Sequence, residues 1–110
     1  MAYKDLRDWL KKVENMDQLK KIDGASWDLE MGAITELIYQ EGKGTPPAVL
    51  FDKVPGYPKG FRALFGITCS VERMALTLNL PSAKTGVELV RSYRNKLKDF
   101  KPILEEKNLI

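Results

Sequence analysis

The sequence predicts an α+β domain, a small mixed β-sheet with flanking helices in the order α-β-α-β-β-α-α. Three observations carry this. Leu6, Trp9, Leu10 and Val13 recur at i, i+3, i+4 and i+7 between charged residues, the pattern of a helix with one apolar stripe. Ala48-Val49-Leu50-Phe51 is an unbroken apolar run between prolines and Asp52, as a strand covered on both faces requires. The stretch from Phe61 to Leu76 reads as a strand, a glycine turn and a helix start.

The first helix is expected over about residues 3–15, broken by Asn15-Met16-Asp17. Leu19-Lys20-Lys21-Ile22-Asp23 offers a short strand that Gly24 closes. Ser26 or Asp28 can cap a second helix with apolar positions Met31, Ile34, Leu37 and Ile38. It ends near Gly42, because Gly42-Lys43-Gly44-Thr45-Pro46-Pro47 cannot stay helical. After the Ala48–Phe51 strand, Val54 to Gly60 is dense in turn residues and forms a loop.

Ala63 to Ile67 is the third strand, ending in a bend at Gly66. Thr68 or Ser70 caps the helix that follows, and Glu72 in its first turn complements the helix dipole. Val71, Met74, Ala75 and Leu78 form its apolar face, and Asn79-Leu80-Pro81 stops it. Thr85-Gly86-Val87-Glu88 fits a capping box for the last helix, whose stripe is Val90, Tyr93, Leu97 and Phe100. Pro102 marks its end. The expected core is Trp9, Leu10, Ile34, Ile38, Leu50, Phe51, Leu64, Phe65, Met74 and Leu78. Ile103, Leu104, Leu109 and Ile110 follow with no repeat that would bury them.

A length of 110 residues limits the chain to one domain, and 44% hydrophobic with 30% charged residues is an ordinary globular composition. No apolar run reaches the length of a membrane span and the N-terminus has no signal-peptide core, so a cytoplasmic location is expected. The single cysteine, Cys69, rules out an internal disulfide. The net charge of +3 is concentrated late, on Lys84, Arg91, Arg94, Lys96, Lys98, Lys101 and Lys107 against Glu88, Asp99, Glu105 and Glu106. A basic last helix can contact nucleic acid or an acidic partner. Without an aromatic-basic RNA motif or a helix-turn-helix pattern, a solvated helix face is the simpler reading.

Little in the chain points to chemistry. Histidine is absent, which removes the commonest general base and metal ligand, and with one cysteine it excludes the usual zinc sites and Cys-His or Ser-His pairs. Gly42-Lys43-Gly44-Thr45 has neither the preceding strand nor the following helix of a phosphate-binding loop, and reads as a connection. Glu36, Glu41, Asp52 and Glu72 show no spacing that pairs two carboxylates. Cys69 at a helix N-terminus reads as a small packing residue or an idle thiol, although an exposed thiol there is favoured as thiolate. Arg73 can bind an anion, but pairing with a carboxylate or packing its stem on the sheet suits it better. Trp9 and Trp27 read as core and rim residues and not as a stacking platform. Taken alone, the residues describe a folded module with no catalytic, cofactor-binding or metal-binding residue of its own.

Five segments in order resemble the N-terminal region of the UbiD-like decarboxylases. They are Tyr3-Lys4-Asp5-Leu6-Arg7-Asp8-Trp9-Leu10, Leu19-Lys20-Lys21-Ile22, Leu29-Glu30-Met31-Gly32-Ala33-Ile34, the run from Ala48 to Tyr57, and Leu64-Phe65-Gly66 with Ser70-Val71-Glu72-Arg73-Met74-Ala75-Leu76. One departure is Gly66-Ile67-Thr68-Cys69-Ser70, where many relatives reach the Glu-Arg pair sooner. Family members are several times longer. Their prenylated flavin mononucleotide, manganese and potassium ions and catalytic glutamate-arginine-glutamate set lie in a split-barrel domain after this region, and none maps onto a position here. The resemblance implies that residues 1–100 form the N-terminal domain and 101–110 a tail, or the start of a linker to a flavin-binding domain. It implies the structural domain, or a split piece, of a carboxy-lyase acting on aromatic or α,β-unsaturated carboxylic acids. The expected partners are that barrel, in cis or as a separate subunit, and further copies of the chain in a homo-oligomer, with residues 97–110 as the expected contact. The alternative is a free-standing adaptor or basic module for a protein or nucleic acid, which a basic stripe over Arg91, Arg94 and Lys98 would favour.

Overall fold

The computed structural model describes residues 3–42 and 44–103. Helix α1 (Leu6–Asn15) begins with its apolar stripe and not at residue 3, because Asp5 takes the N-cap and accepts from Asp8 N. Asp17, at φ 59°, ends the chain's helical course and Gln18 leads into β1 (Leu19–Asp23). Helix α2 (Met31–Glu41) then crosses to β2 (Ala48–Asp52), which runs parallel to β1 in the register Leu19 with Ala48 to Asp23 with Asp52. The short β3 (Ala63–Phe65) returns antiparallel on the other side of β2, pairing Val49 with Phe65 and Phe51 with Ala63. The sheet order is β1-β2-β3, and helices α3 (Val71–Thr77) and α4 (Gly86–Lys98) complete the expected sequence of elements.

β2 is central, and its four apolar residues are buried because each face of the sheet is covered. Ala48 and Leu50 point to one side, where Trp9, Leu10 and Val13 of α1 meet Leu76 of α3. Val49 and Phe51 point to the other, against Met31, Ala25 and Val54, with Ile22, Ile34 and Ile38 at the margin. A third cluster, Ala75, Leu80, Ala83 and Leu89, joins α3 to α4.

Several expectations are corrected. Neither Ser26 nor Asp28 caps α2. A hydrogen-bonded turn intervenes, in which Ser26 O accepts from Glu30 N and Met31 N while the Glu30 carboxylate accepts from Ser26 N. Leu78 and Phe65 are exposed and not in the core. α3 is turned so that Ala75 and Leu76 face inward, which lifts Leu78 to the rim. Phe65 sits on the edge strand β3 and meets Phe51 edge-on, centroids 5.5 Å apart. Ile34, Ile38, Leu64 and Met74 are half-buried, and Leu6 and Leu37 are exposed. The stripe on α4 is the largest departure. Thr85 caps the helix as expected, accepting from Glu88 N, with Glu88 reaching back to Lys84 N. Yet only Leu89 of its apolar residues is buried, and Val90, Tyr93, Leu97 and Phe100 all face outward. Leu104, Leu109, Ile110 and Lys107 lie outside the described residues.

Candidate functional site

The turn between β3 and α3 gathers the polar side chains that are buried among the described residues, Ser70 and Arg73. Gly66 makes the bend at φ 81°, a conformation that side chains other than glycine adopt poorly. A Cβ there would also meet Tyr39 Oη at 2.5 Å and Pro47 O at 3.3 Å, so both backbone angle and space require glycine. Ser70 takes the N-cap of α3, accepting from Arg73 N at 3.0 Å and donating its hydroxyl to Gln18 Oε1 at 2.8 Å.

Arg73, 0% exposed, is the largest fully buried side chain of the core. Its Nε donates to Gly66 O at 3.1 Å and its Nη1 to Gln18 Oε1 at 3.2 Å, while Nη2 is buried without a hydrogen-bond partner. Neither reading offered by the sequence holds in full. The guanidinium is closed to an anion in solution, and its hydrogen bonds go to a carbonyl and an amide instead of a carboxylate. Burial lowers its pKa, opposed by the neighbouring Cys69, Tyr39 and Glu72. Tyr39 is shifted upward, first by burial and then by its hydrogen bond with Cys69, whose Sγ lies 3.7 Å from Tyr39 Oη. Cys69 is exposed.

Gln18 is the member that sequence reasoning missed. It bonds Ser70, Arg73 and, through Nε2 at 3.4 Å, Glu72, while its backbone O accepts from Ala48 N. Nothing in its local spacing marks it, since the partners of its side chain lie more than fifty residues away. The cluster therefore fixes α3 to the start of β1 and to the turn.

The other candidates are scattered. Glu36 accepts from Gln40 on the exposed side of α2, Asp52 accepts from Lys53 N, and Glu41 is exposed at the end of α2. No group of metal-ligating side chains occurs among the described residues. Gly42, Gly44 and Thr45 lie in the connection from α2 to β2, with Lys43 outside the described residues. These residues do not fit the prenylated flavin or its metal ions: among the described residues no carboxylates converge, and the glycine connection leads into a strand and not a helix. Trp9 is core, its indole N–H bonded to Thr77 Oγ1. Trp27 is 62% exposed and, with Tyr57 and Phe61, walls a shallow apolar recess of about 180 Å³. Arg91, Arg94, Asn95 and Lys98 line one side of α4. Lys96 turns back to the body, donating to Leu78 O at 2.6 Å and Asn79 O at 3.4 Å, where it satisfies the carboxyl end of α3.

A three-stranded sheet covered by helices on both faces, a buried cluster that fastens α3 to the turn and to β1, and a last helix with its apolar side exposed define a small α+β domain. The chain belongs to the 3-octaprenyl-4-hydroxybenzoate carboxy-lyase N-terminal domain family, the UbiD N-terminal domain, whose family model matches residues 10–93. It is similar to the vanillic acid decarboxylase of Sedimentibacter hydroxybenzoicus in two structures of its open form. In the structure with one truncated component, the TM-score is 0.74 at 25% identity over 89% of this chain and 20% of that one. In the other structure, the TM-score is 0.67 at 26% identity over 83% and 19%. The chain thus spans about one fifth of the decarboxylase chains it matches. Among the described residues, no helix is long and apolar enough to cross a membrane.

Proposed function

We propose that this chain is the N-terminal structural domain, or a split piece, of a prenylated-flavin-dependent carboxy-lyase acting on aromatic or α,β-unsaturated carboxylic acids. The observation that carries the reading is the family match over residues 10–93 together with a fold that spans one fifth of a decarboxylase. In this reading the domain contributes packing surface. The cofactor, its metal ions and the reacting groups belong to a flavin-binding barrel supplied in cis or by a separate subunit, because the polar cluster here is closed and structural. The flavin supplies the electron sink that holds the charge left as carbon dioxide departs. The domain extends over residues 1–100, with 101–110 as tail or linker. A lone exposed thiol suits a reducing, cytoplasmic compartment. The assembled enzyme would be a homo-oligomer, for which the exposed Trp27, Tyr57 and Phe61 offer apolar area apart from α4.

The basic stripe of Arg91, Arg94 and Lys98 exists as the adaptor reading required. Its position beside an exposed apolar stripe favours a protein surface over nucleic acid, since a phosphate backbone offers nothing to cover Val90 and Leu97. The test is flavin retention. The chain alone should carry no flavin absorbance after dialysis, and a longer polypeptide or complex containing it should. Flavin held by these 110 residues alone would overturn the assignment of the cofactor to another domain.

A further inference from the structure

Helix α4 is built to be covered on two sides, and the described chain covers one. At 100° per residue, Leu89 and Lys96 fall on the side facing α3, where Leu89 packs against Ala75, Leu80 and Ala83. Val90 and Leu97 fall together next to that side, 57% and 49% exposed, flanked by Tyr93 and Val87 and continued by Phe100, 68% exposed. Arg91, Arg94 and Lys98 follow directly around the helix, so the apolar stripe has the domain body along one margin and a row of cations along the other. An isolated surface helix would place its polar face there; a row of exposed apolar side chains, Tyr93, Val90 and Leu97, with Phe100 just past the helix end, marks an interface.

We infer that this face of α4 docks into an apolar groove, rimmed by carboxylates along one side, on the remaining polypeptide of the decarboxylase. The inference rests on the proposed function and names the surface through which it works. Charge decides between that occupant and a second copy of the chain. α4 carries Arg91, Arg94, Lys96 and Lys98 against Glu88 alone, so bringing two α4 helices together sets like charges side by side across a short interface. A groove edged with Asp or Glu pairs the same cations and buries the same stripe. The share of the relatives that this chain spans leaves about four-fifths of their length to supply such a groove.

The test uses this chain and, as probe, the vanillic acid decarboxylase of Sedimentibacter hydroxybenzoicus produced without the fifth of its chain that this one matches. Binding is followed by calorimetry and sedimentation, with far-UV circular dichroism to verify that each variant stays folded. Val90→Asp and Leu97→Asp, at exposed positions, should weaken binding at least tenfold. Arg91→Glu with Arg94→Glu should weaken it similarly and flatten its salt dependence. Undiminished binding by the folded apolar variants would overturn the α4 assignment while leaving the proposed function standing. A saturable dimer of the parent chain at low salt, abolished by Leu97→Asp, would overturn it in favour of a second copy. Failure of the parent chain to bind the probe at all would instead remove the functional reading on which the inference rests.

Discussion

Arg73 Nε donates to Gly66 O across 3.1 Å, tying the first turns of α3 to the left-handed glycine that ends β3. The bond spans seven residues and joins the two halves of the most family-like segment. It explains why a cation lies fully buried in a small domain: the guanidinium reaches the glycine carbonyl and Gln18 at once, holding the turn, α3 and the start of β1 in one arrangement. Its free Nη2 is the cost of that geometry.

Arg73→Ala should lower the unfolding free energy by about 2–4 kcal/mol, from the cavity and from hydrogen bonds lost to Gly66 O and Gln18 Oε1. Arg73→Met keeps most of the volume and should cost less. Urea unfolding of both variants measures the difference; equal losses would show that hydrogen bonding, and not packing, dominates.

Gly66→Ala should destabilise by about 1–3 kcal/mol, since alanine is strained at φ 81° and its methyl displaces Tyr39. Thermal unfolding tests this. A variant as stable as the parent would mean that the turn relaxes away from the described geometry.

Ser70→Ala removes the α3 cap and a donor to Gln18, and should cost about 1–2 kcal/mol. The loss should shrink in a Gln18→Ala background, because the two residues share one hydrogen bond. A double-mutant cycle with no coupling would contradict the cluster.

Leu50→Ala should cost about 2–5 kcal/mol, whereas Leu78→Ala should stay within about 0.5 kcal/mol. Leu50 lies in the cluster between sheet and α1, and Leu78 at the rim of α3. Comparable denaturation midpoints for the two would overturn the orientation of α3.

The phenol of Tyr39 titrates above its ordinary value, chiefly through burial and then through its bond with Cys69. The folded chain therefore holds this proton more tightly than the unfolded chain. The resulting stability is complete below about pH 10, the unfolded value, and is lost as pH rises through the folded one. Tyr39→Phe should remove that part of the alkaline loss, seen as a flatter dependence of the denaturation midpoint between about pH 9 and 11. An unchanged slope would show that Tyr39 is solvated like a free phenol.

The elements were legible because each is written locally. The i, i+3, i+4, i+7 repeat in α1, the apolar run of β2 and the Thr85 capping box each fix backbone conformation within a few residues, and all three form the expected elements, with α1 starting later, at Leu6. The family resemblance was legible for the same reason, as five short segments in order, and the match over residues 10–93 bears it out. What tertiary structure alone decided is which side of each helix has a neighbour. Periodicity shows that α4 has an apolar stripe and that α3 has apolar positions at helical spacing; it does not say what lies opposite. In α3 the inward positions are Arg73, Ala75 and Leu76, because the bonds to Gly66 and Gln18 set the rotation of the helix. In α4 the stripe stays largely exposed among the described residues. Burial depends on contacts between residues far apart in sequence, and a hydrogen bond from Gln18 to Ser70, fifty-two positions away, leaves no trace in either local pattern.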